Sequence, residues 1–137
     1  MNSTLKDAYS NTTYTVHKLG INIRIGETGR KLNSLLKKND VNSWAYITAW
    51  NPFSEELDAE NNSKRNDRLL LEIKTKGLIY YIGTGVPDKG DWTPEESFLI
   101  LGISLIDAKS LGKHFEQNAI IFGELNKPAR LIMLNDK

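Results

Sequence analysis

The chain has 137 residues, no cysteine, and 18 basic against 17 acidic side chains, which gives a formal charge of +1. The lack of cysteine excludes disulfides, thiol nucleophiles and thiolate metal sites, and the even charge gives no overall attraction to nucleic acid or anionic membranes. No stretch approaches the roughly 20 apolar residues that span a bilayer, and no apolar run of the signal-peptide type opens the chain. We therefore expect a cytoplasmic protein with no membrane contact and no cofactor.

The first predicted elements follow a polar start. Residues 1–12 are rich in Ser, Thr and Asn and predict a flexible lead-in to a single globular domain over residues 13–137. Alternating apolar residues over 19–25 are typical of a half-buried strand, with Gly20 as a bend between two short strands. Thr28 can then cap a helix that carries leucines on one face.

The middle of the chain predicts a strand, a long helix and a second strand. The first strand, at 44–50, runs into a polar turn. Ser54 or Asp58 then caps a helix that ends near Thr75. Residues 78–82 have the composition of the next strand.

Beyond residue 82 the pattern predicts a turn-rich loop over 83–95 and a buried central strand over 97–104. A third helix over 104–115 follows, and then two closing strands over 119–122 and 129–134. The predicted order is β–α–β–α–β–β–α–β–β. Helices that alternate with strands, followed by strands that pair as hairpins, are typical of a mixed sheet. The predicted fold class is therefore α/β (α+β), a compact mixed sheet with three helices.

The strand at 44–50 ends where a ligand site is expected. Its aromatic residues and Thr48 share one face by the two-residue period, and its alanines and Ile47 share the other face. Open α/β sheets bind ligands where strands end and helices begin. The polar end of this strand, from Thr48 to Asn51, is therefore the first place where we expect a site.

Two asparagines of the long helix fall on its core-facing side. By the helical period, Asn62 and Asn66 share an arc with apolar residues. A buried amide without partners costs about 1–3 kcal/mol, so each amide must form hydrogen bonds. Either the asparagines tie down neighbouring loop backbone such as the turn at Asn51, or they line a ligand pocket beside Thr48 and Asn51. A third alternative is that this half of the helix overhangs solvent.

Three further residues could act at such a site. Glu96 stands just before the apolar strand, where burial would raise its pKa and suit it to general acid–base catalysis. It could equally accept hydrogen bonds from a loop or pair with an arginine. Arg65 faces another side of the long helix, where anion binding is the alternative to a solvated charge. Gln117 lies between a helix and a strand and could cap backbone or reach a neighbouring loop.

Known catalytic and metal-binding signatures are missing from the sequence. His17 and His114 are far apart, and no Ser-His-Asp, His-Glu-x-x-His or nucleophile-elbow pattern occurs. The 83–95 loop lacks the ending of a P-loop, and its acids match no EF-hand spacing, so no metal site is predicted. Whether the protein is an enzyme stays open.

Four segments resemble one bacterial family. They are WAYITAWNPFS at 44–54, NSKRNDRL at 62–69, GDWTPEESF at 90–98 and FEQNA at 115–119. In this order they are similar to the family known as domain of unknown function 3293, and the resemblance spans residues 14–131. The family implies no established activity. It directs attention to polar positions already singled out, namely Thr48, Asn51, Asn62, Asn66, Glu96 and Gln117.

The sequence leaves two functional hypotheses and a structural one. The first is a small-molecule or nucleotide-like ligand site, in a cleft between the end of the 44–50 strand, the long helix and the 83–95 loop. The second is an interaction module that binds an unknown protein through the 83–95 loop and an exposed apolar patch that includes Trp50, Phe53 or Trp92. Nucleic acid is disfavoured as the partner because no Lys/Arg cluster surrounds the aromatic residues Trp44, Tyr46 and Trp50. The third is a scaffold in which the polar residues only hold loops together.

Overall fold

The computed structural model describes residues 3–88 and 95–134. Over these residues the chain forms four α-helices and a seven-stranded sheet, which confirms the α+β class. The helices are α1 (Ser3–Ser10), α2 (Arg30–Lys38), α3 (Ala59–Thr75) and α4 (Leu105–His114). The strands are β1 (Thr12–Val16), β2 (Ile21–Ile23), β3 (Ser43–Ile47), β4 (Ile79–Pro87), β5 (Glu95–Leu101), β6 (Ala119–Glu124) and β7 (Arg130–Met133). No helix in the described ranges is long and apolar enough to cross a membrane.

Helix α1 is an element that the sequence analysis did not predict. It occupies part of the expected lead-in, and its Tyr9 packs against the core. The hydroxyl of Thr12 donates to Ala8 O at 2.7 Å, and the hydroxyl of Tyr14 donates to Tyr9 O at 3.1 Å. These bonds fasten α1 to β1. The division of the chain into a lead-in and a domain stays a prediction.

The paired strands form an antiparallel sheet, whereas the sequence predicts a mixed one. The strand order is β2-β1-β4-β5-β3-β6-β7, and each ladder between described strands is antiparallel. Strands β3 and β4 are joined through α3 but do not pair, because the β4–β5 hairpin places β5 between them. An isolated parallel bridge between Ile25 and Ala129 connects the two edges, so the sheet curls.

Apolar cores lie on both faces of the curled sheet. Ala45, Ile47 and Ala49 pack in the core that α3 and α4 cover. Trp44 and Tyr46 pack in the other core, with α2 and β1, inside the curl. The two-residue period of this strand therefore separates the residues as predicted.

Glycines in the sheet make room for aromatic rings inside the curl. Gly123 lies directly against the ring of Trp44, and a Cβ at Gly83 would lie 2.6 Å from the hydroxyl oxygen of Tyr46. The sequence pattern predicts a turn-rich loop at residues 83–87, but they are the second half of β4. The glycines at this point serve close packing of a ring against a strand, which a sequence pattern does not distinguish from a turn.

Candidate functional site

The candidate site begins where β3 ends and the backbone turns sharply. Asn51, Phe53 and Ser54 have φ values of 47°, 51° and 63°. This left-handed region costs non-glycine residues roughly 1–2 kcal/mol each, and it persists only where the surrounding structure holds it. Six polar side chains, which we call the polar cluster, hold this turn and the strand end before it. They are Thr48, Asn51, Asn62, Arg65, Asn66 and Gln117.

Asn62 holds the turn through both ends of its amide. Its Oδ1 accepts from Asn51 N at 2.7 Å, and its Nδ2 donates to Asn51 Oδ1 at 2.7 Å. The same Nδ2 donates to Leu57 O at 3.2 Å, while Asn51 Oδ1 also accepts from Leu57 N at 3.0 Å. Asn62 is 1% exposed. The three residues therefore form a closed set of hydrogen bonds that fixes the chain between β3 and α3.

Asn66, one turn further along α3, ties the end of β3 to the start of β5. Its Oδ1 accepts from Ala49 N at 2.8 Å, and its Nδ2 donates to Glu96 O at 2.8 Å. The Thr48 hydroxyl donates to the same Glu96 oxygen at 2.7 Å and accepts from Trp50 N at 3.1 Å. Both side chains therefore satisfy backbone groups at a place where the β3–β5 ladder has ended.

Arg65 and Gln117 attach the turn to the chain that follows α4. Arg65 Nε donates to Ala49 O at 2.7 Å, Nη2 donates to Phe115 O, and Nη1 pairs with Glu116 Oε1 at 3.3 Å. Gln117 Nε2 donates to the backbone oxygens of Trp50 and Phe115, both at 3.2 Å. The side chain of Arg65 is only 17% exposed. The positive charge of Arg65 is therefore compensated by backbone oxygens and one carboxylate.

The structure thus brings all six members of the polar cluster together. The asparagines tie down loop backbone, as in the first alternative that the sequence left open, because both ends of each amide bind groups within the chain. Ligand binding by the cluster stays a prediction.

A cavity of about 750 Å³ opens beside the polar cluster. It lies inside the curl of the sheet, between α1, β1, β6, the adjoining ends of β4 and β5, and the segment 50–59. Arg65, Asn66 and Glu96 do not line it. The other members of the polar cluster do line it, namely Thr48, Asn51, Asn62 and Gln117.

The acid that faces this cavity is Glu95, whereas the sequence analysis singled out Glu96. Strand β5 begins at Glu95, so Glu95, Ser97 and Leu99 share the face inside the curl, and Glu96 shares the opposite face with Phe98. Burial raises the pKa of Glu95 from 4.5 to about 7, and no side chain in the described part of the chain pairs with its carboxylate. The side chain of Glu96 is exposed.

Tyrosines from three different elements lie around Glu95. They are Tyr9 of α1, Tyr14 of β1 and Tyr46 of β3. Burial raises the pKa of Tyr9 to about 12 and also raises the pKa values of Tyr14 and Tyr46; the nearby Glu95 charge adds to each shift. The rings of Tyr14 and Tyr46 meet edge to face with 5.1 Å between centroids. The hydroxyl of Tyr46 is buried without a hydrogen-bond partner in the described ranges.

Sequence reasoning missed Glu95 and the tyrosine set for definable reasons. The predicted strand begins at residue 97, which leaves Glu95 in a loop and makes Glu96 the acid next to the core. Tyr9 falls in the predicted lead-in. One sequence signal does point to Glu95: it keeps the two-residue alternation of Ser97, Leu99 and Leu101, which line the inside of the curl.

The wall of the cavity carries negative charge. Glu56, Asp58 and Glu95 line it, and within the described residues no Lys, Arg or His does so. These carboxylates do not converge: in the same part of the chain, no group of three or more His, Asp or Glu side chains could hold a metal ion. Trp92, one of the aromatic residues of the interaction-module hypothesis, lies outside the described residues.

Comparison with known proteins finds one family that matches the chain. The family described as "Protein of unknown function (DUF3293)" matches the chain over residues 47–120. The chain belongs to this family. The DUF3293 match contains the whole polar cluster and Glu95, whereas Tyr9, Tyr14 and Tyr46 lie before it. No curated protein and no solved structure matches the chain. The resemblance drawn from the sequence is confirmed, while a bacterial origin and a cytoplasmic location stay predictions.

Proposed function

We propose that this DUF3293 protein binds a small molecule in the cavity beside the polar cluster. The observation that carries the proposal is the cavity itself: about 750 Å³, lined by polar groups, by aromatic rings and by a carboxyl group that has no partner among the described residues. Ligand sites are typically concave, of about 300–1,000 Å³, with mostly apolar walls and a few convergent polar groups. The polar cluster has a supporting part in this proposal, because it holds the turn that forms one wall.

Glu95 is the group in this cavity that suits proton transfer. A carboxyl group with a pKa near neutrality can both take up and release a proton at physiological pH. If the bound molecule reacts, Glu95 is therefore a better candidate for general acid or base than the exposed Glu96. The proposal itself is binding, and it does not depend on a reaction.

The test is a thermal-shift screen with a variant that fills the cavity. Ala8 lines the cavity from α1, so Ala8→Trp should occupy ligand space. Ser110→Trp is the control, since Ser110 is an exposed residue of α4 away from the cavity. A library of anionic, neutral and cationic metabolites should contain compounds that raise the Tm of the wild type and of Ser110→Trp but not of folded Ala8→Trp. A screen without such compounds overturns the proposal.

A second candidate function, protein interaction, is favoured by one specific observation. Phe53 is 47% exposed, although its backbone has a φ of 51° and its N–H is fixed to Glu116 O at 2.6 Å. A strained backbone that displays an aromatic ring can serve recognition. A photo-reactive phenylalanine analogue at position 53 should then cross-link one defined protein in cells. Leu71, which is 63% exposed, is the control position; the same products at both positions would reject this function.

A further inference from the structure

The charge of the cavity wall indicates what kind of ligand it accepts. The wall carries the carboxyl groups of Glu56, Asp58 and Glu95 and no cationic side chain among the described residues. A phosphate or carboxylate inside the curl would meet like charge in surroundings less polar than water, where repulsion is stronger. A positive group would meet opposite charge. The nucleotide-like ligand that the sequence left open is therefore disfavoured, and a cationic ligand is favoured.

Among the three acids, Glu95 is the one that is partly buried and has no side-chain partner among the described residues. Asp58 caps α3 through both oxygens, which accept from Asn61 N at 2.8 Å and from Asn61 Nδ2 at 3.2 Å. Glu56 is exposed. Glu95 is partly buried, and burial of an ionised carboxylate is costly unless an opposite charge or hydrogen-bond donors compensate. A cation in the cavity would supply that compensation.

The aromatic residues around Glu95 also suit a cation. Tyr9, Tyr14 and Tyr46 line the same cavity, and aromatic rings attract ammonium groups through their negative faces. Arg24, which lies beside Tyr14, does not serve Glu95 because it forms a two-pronged pair with Asp88 at 2.9 and 3.0 Å. The acids are not grouped to bind a metal ion within the described ranges, so an organic cation fits better.

On the basis of the proposed function, we propose that the ligand is a small organic ammonium compound whose nitrogen pairs with Glu95 and lies against the tyrosine rings. An N⁺–H donor to a carboxylate is among the stronger hydrogen bonds in proteins. The neutral remainder of such a ligand would meet Thr48 and Asn51, which line the same cavity.

Three probes of the same shape and different charge test the proposal: benzylammonium, benzyl alcohol and benzoate. Their binding is measured by NMR titration of the whole chain near pH 8, up to millimolar concentrations. Benzylammonium should bind about tenfold more tightly than benzyl alcohol, which is the ratio that a hydrogen bond to a charged group provides. Benzoate should bind most weakly. Glu95→Gln should reduce the affinity for benzylammonium to that for benzyl alcohol and leave the affinity for benzyl alcohol unchanged. Glu96→Gln should change neither affinity.

The outcomes distinguish failure of the ammonium proposal from failure of the proposal that the cavity binds a ligand. If benzyl alcohol or benzoate binds as well as benzylammonium, the ammonium proposal is wrong while ligand binding in the cavity stands. If none of the three probes shifts resonances of cavity residues, the binding proposal fails with it.

The pH dependence of wild-type binding is a second measurement, which does not rely on a variant that must fold. The pKa of Glu95 is about 7, and the groups that face it are the neutral phenols of the three tyrosines, with Glu56 and Asp58 also in the wall. Benzylammonium should therefore bind more tightly as the pH rises from about 6 to about 8, with release of a proton from Glu95. Benzyl alcohol should bind with the same affinity at both pH values. A pH-independent affinity for benzylammonium would contradict the role of Glu95.

Discussion

Asn62 and Asn51 bind each other through both ends of one amide. Asn62 Oδ1 accepts from Asn51 N, and Asn62 Nδ2 donates to Asn51 Oδ1, each at 2.7 Å. The partner carries a φ of 47° and precedes two more residues in the left-handed region. The hydrogen bonds from Asn62 therefore stabilise the strained turn after β3. Asn62 can do this because α3, which carries it, is held by its own packing.

Replacing Asn62 by alanine should destabilise the protein by on the order of 3 kcal/mol, because the partly buried Asn51 N–H loses its acceptor and both Asn51 Oδ1 and Leu57 O lose a donor. Urea denaturation measures the change. Asn61→Ala is the matched control, one residue away on the exposed side of α3, and it should stay within about 0.5 kcal/mol of the wild type. Equal midpoints for the two variants would contradict the structural role of the pair.

Arg65→Ala should also cost on the order of 3 kcal/mol, because Ala49 O and Phe115 O lose a charged donor. Arg65→Lys should recover little of this, since an ammonium group lacks the planar fork that reaches both oxygens. The control is Arg68→Ala on the exposed side of the same helix, with a change near zero. If Arg65→Ala melts at the same temperature as Arg68→Ala, the structural role of Arg65 is contradicted.

Two glycines of β4 should respond differently to alanine. A Cβ at Gly83 would lie 2.6 Å from the Tyr46 hydroxyl and 2.9 Å from Thr15 O, whereas a Cβ at Gly85 would meet nothing closer than 3.5 Å. Gly83→Ala should therefore cost about 1–3 kcal/mol through overpacking. Gly85→Ala should be tolerated within about 1 kcal/mol. Chemical denaturation of both variants checks the difference, and similar losses would show that the ring can move away from Gly83.

Tyr46→Phe should be neutral or slightly stabilising, which is unusual for a residue only 4% exposed. Its hydroxyl has no partner in the described ranges, and the neighbouring Ser97 hydroxyl donates to Glu95 O at 3.1 Å. Removing an unpaired buried hydroxyl removes its desolvation cost. A loss above about 1 kcal/mol in thermal or urea denaturation would instead show that the phenol has a hydrogen bond worth about that amount.

Stability should fall as the pH rises through the range set by Glu95. Burial raises the pKa of Glu95 from 4.5 to about 7, so between these values the folded state holds a proton that the unfolded state has lost, and the free energy of unfolding decreases with pH. Glu95→Gln should remove this slope. Relative to the wild type, the variant should gain on the order of 3 kcal/mol between about pH 4 and about pH 8. For Glu96→Gln, the free energy of unfolding should change with pH as it does in the wild type. If Glu95→Gln also keeps the pH dependence of the wild type, the raised pKa of Glu95 is rejected.

Local patterns in the sequence were enough to predict much of the fold. The two-residue period at 44–50 predicts which residues face each core, and the helical period predicts that Asn62 and Asn66 point inward. The need to satisfy a buried amide predicts that each finds internal partners, which the contacts with Asn51 and Glu96 O show. These properties depend on neighbours within a few residues, so the sequence carries them directly.

The boundary of one strand was predicted wrongly, and that error moved the candidate acid by one residue. Because side chains alternate across a strand, Glu95 and Glu96 face opposite sides of the sheet. The apolar pattern predicts that this strand begins at residue 97, whereas pairing of Glu95 with Gly85 on β4 extends the ladder to Glu95. A pairing partner ten residues away in sequence is not visible in the local pattern.

Short-range periodicity and hydrogen-bond satisfaction are enough to predict the α+β class, the two faces of β3 and the inward polar residues of α3. Long-range contacts in the folded chain, which the local pattern does not contain, set the antiparallel strand order, the packing of α1, and the meeting of Glu95 with Tyr9, Tyr14 and Tyr46. These features join residues that are far apart in the sequence, such as Tyr9 and Glu95, and a cavity exists only where the sheet curls and the elements around it leave space unfilled. Periodicity shows which way a side chain points, but long-range pairing sets what it meets.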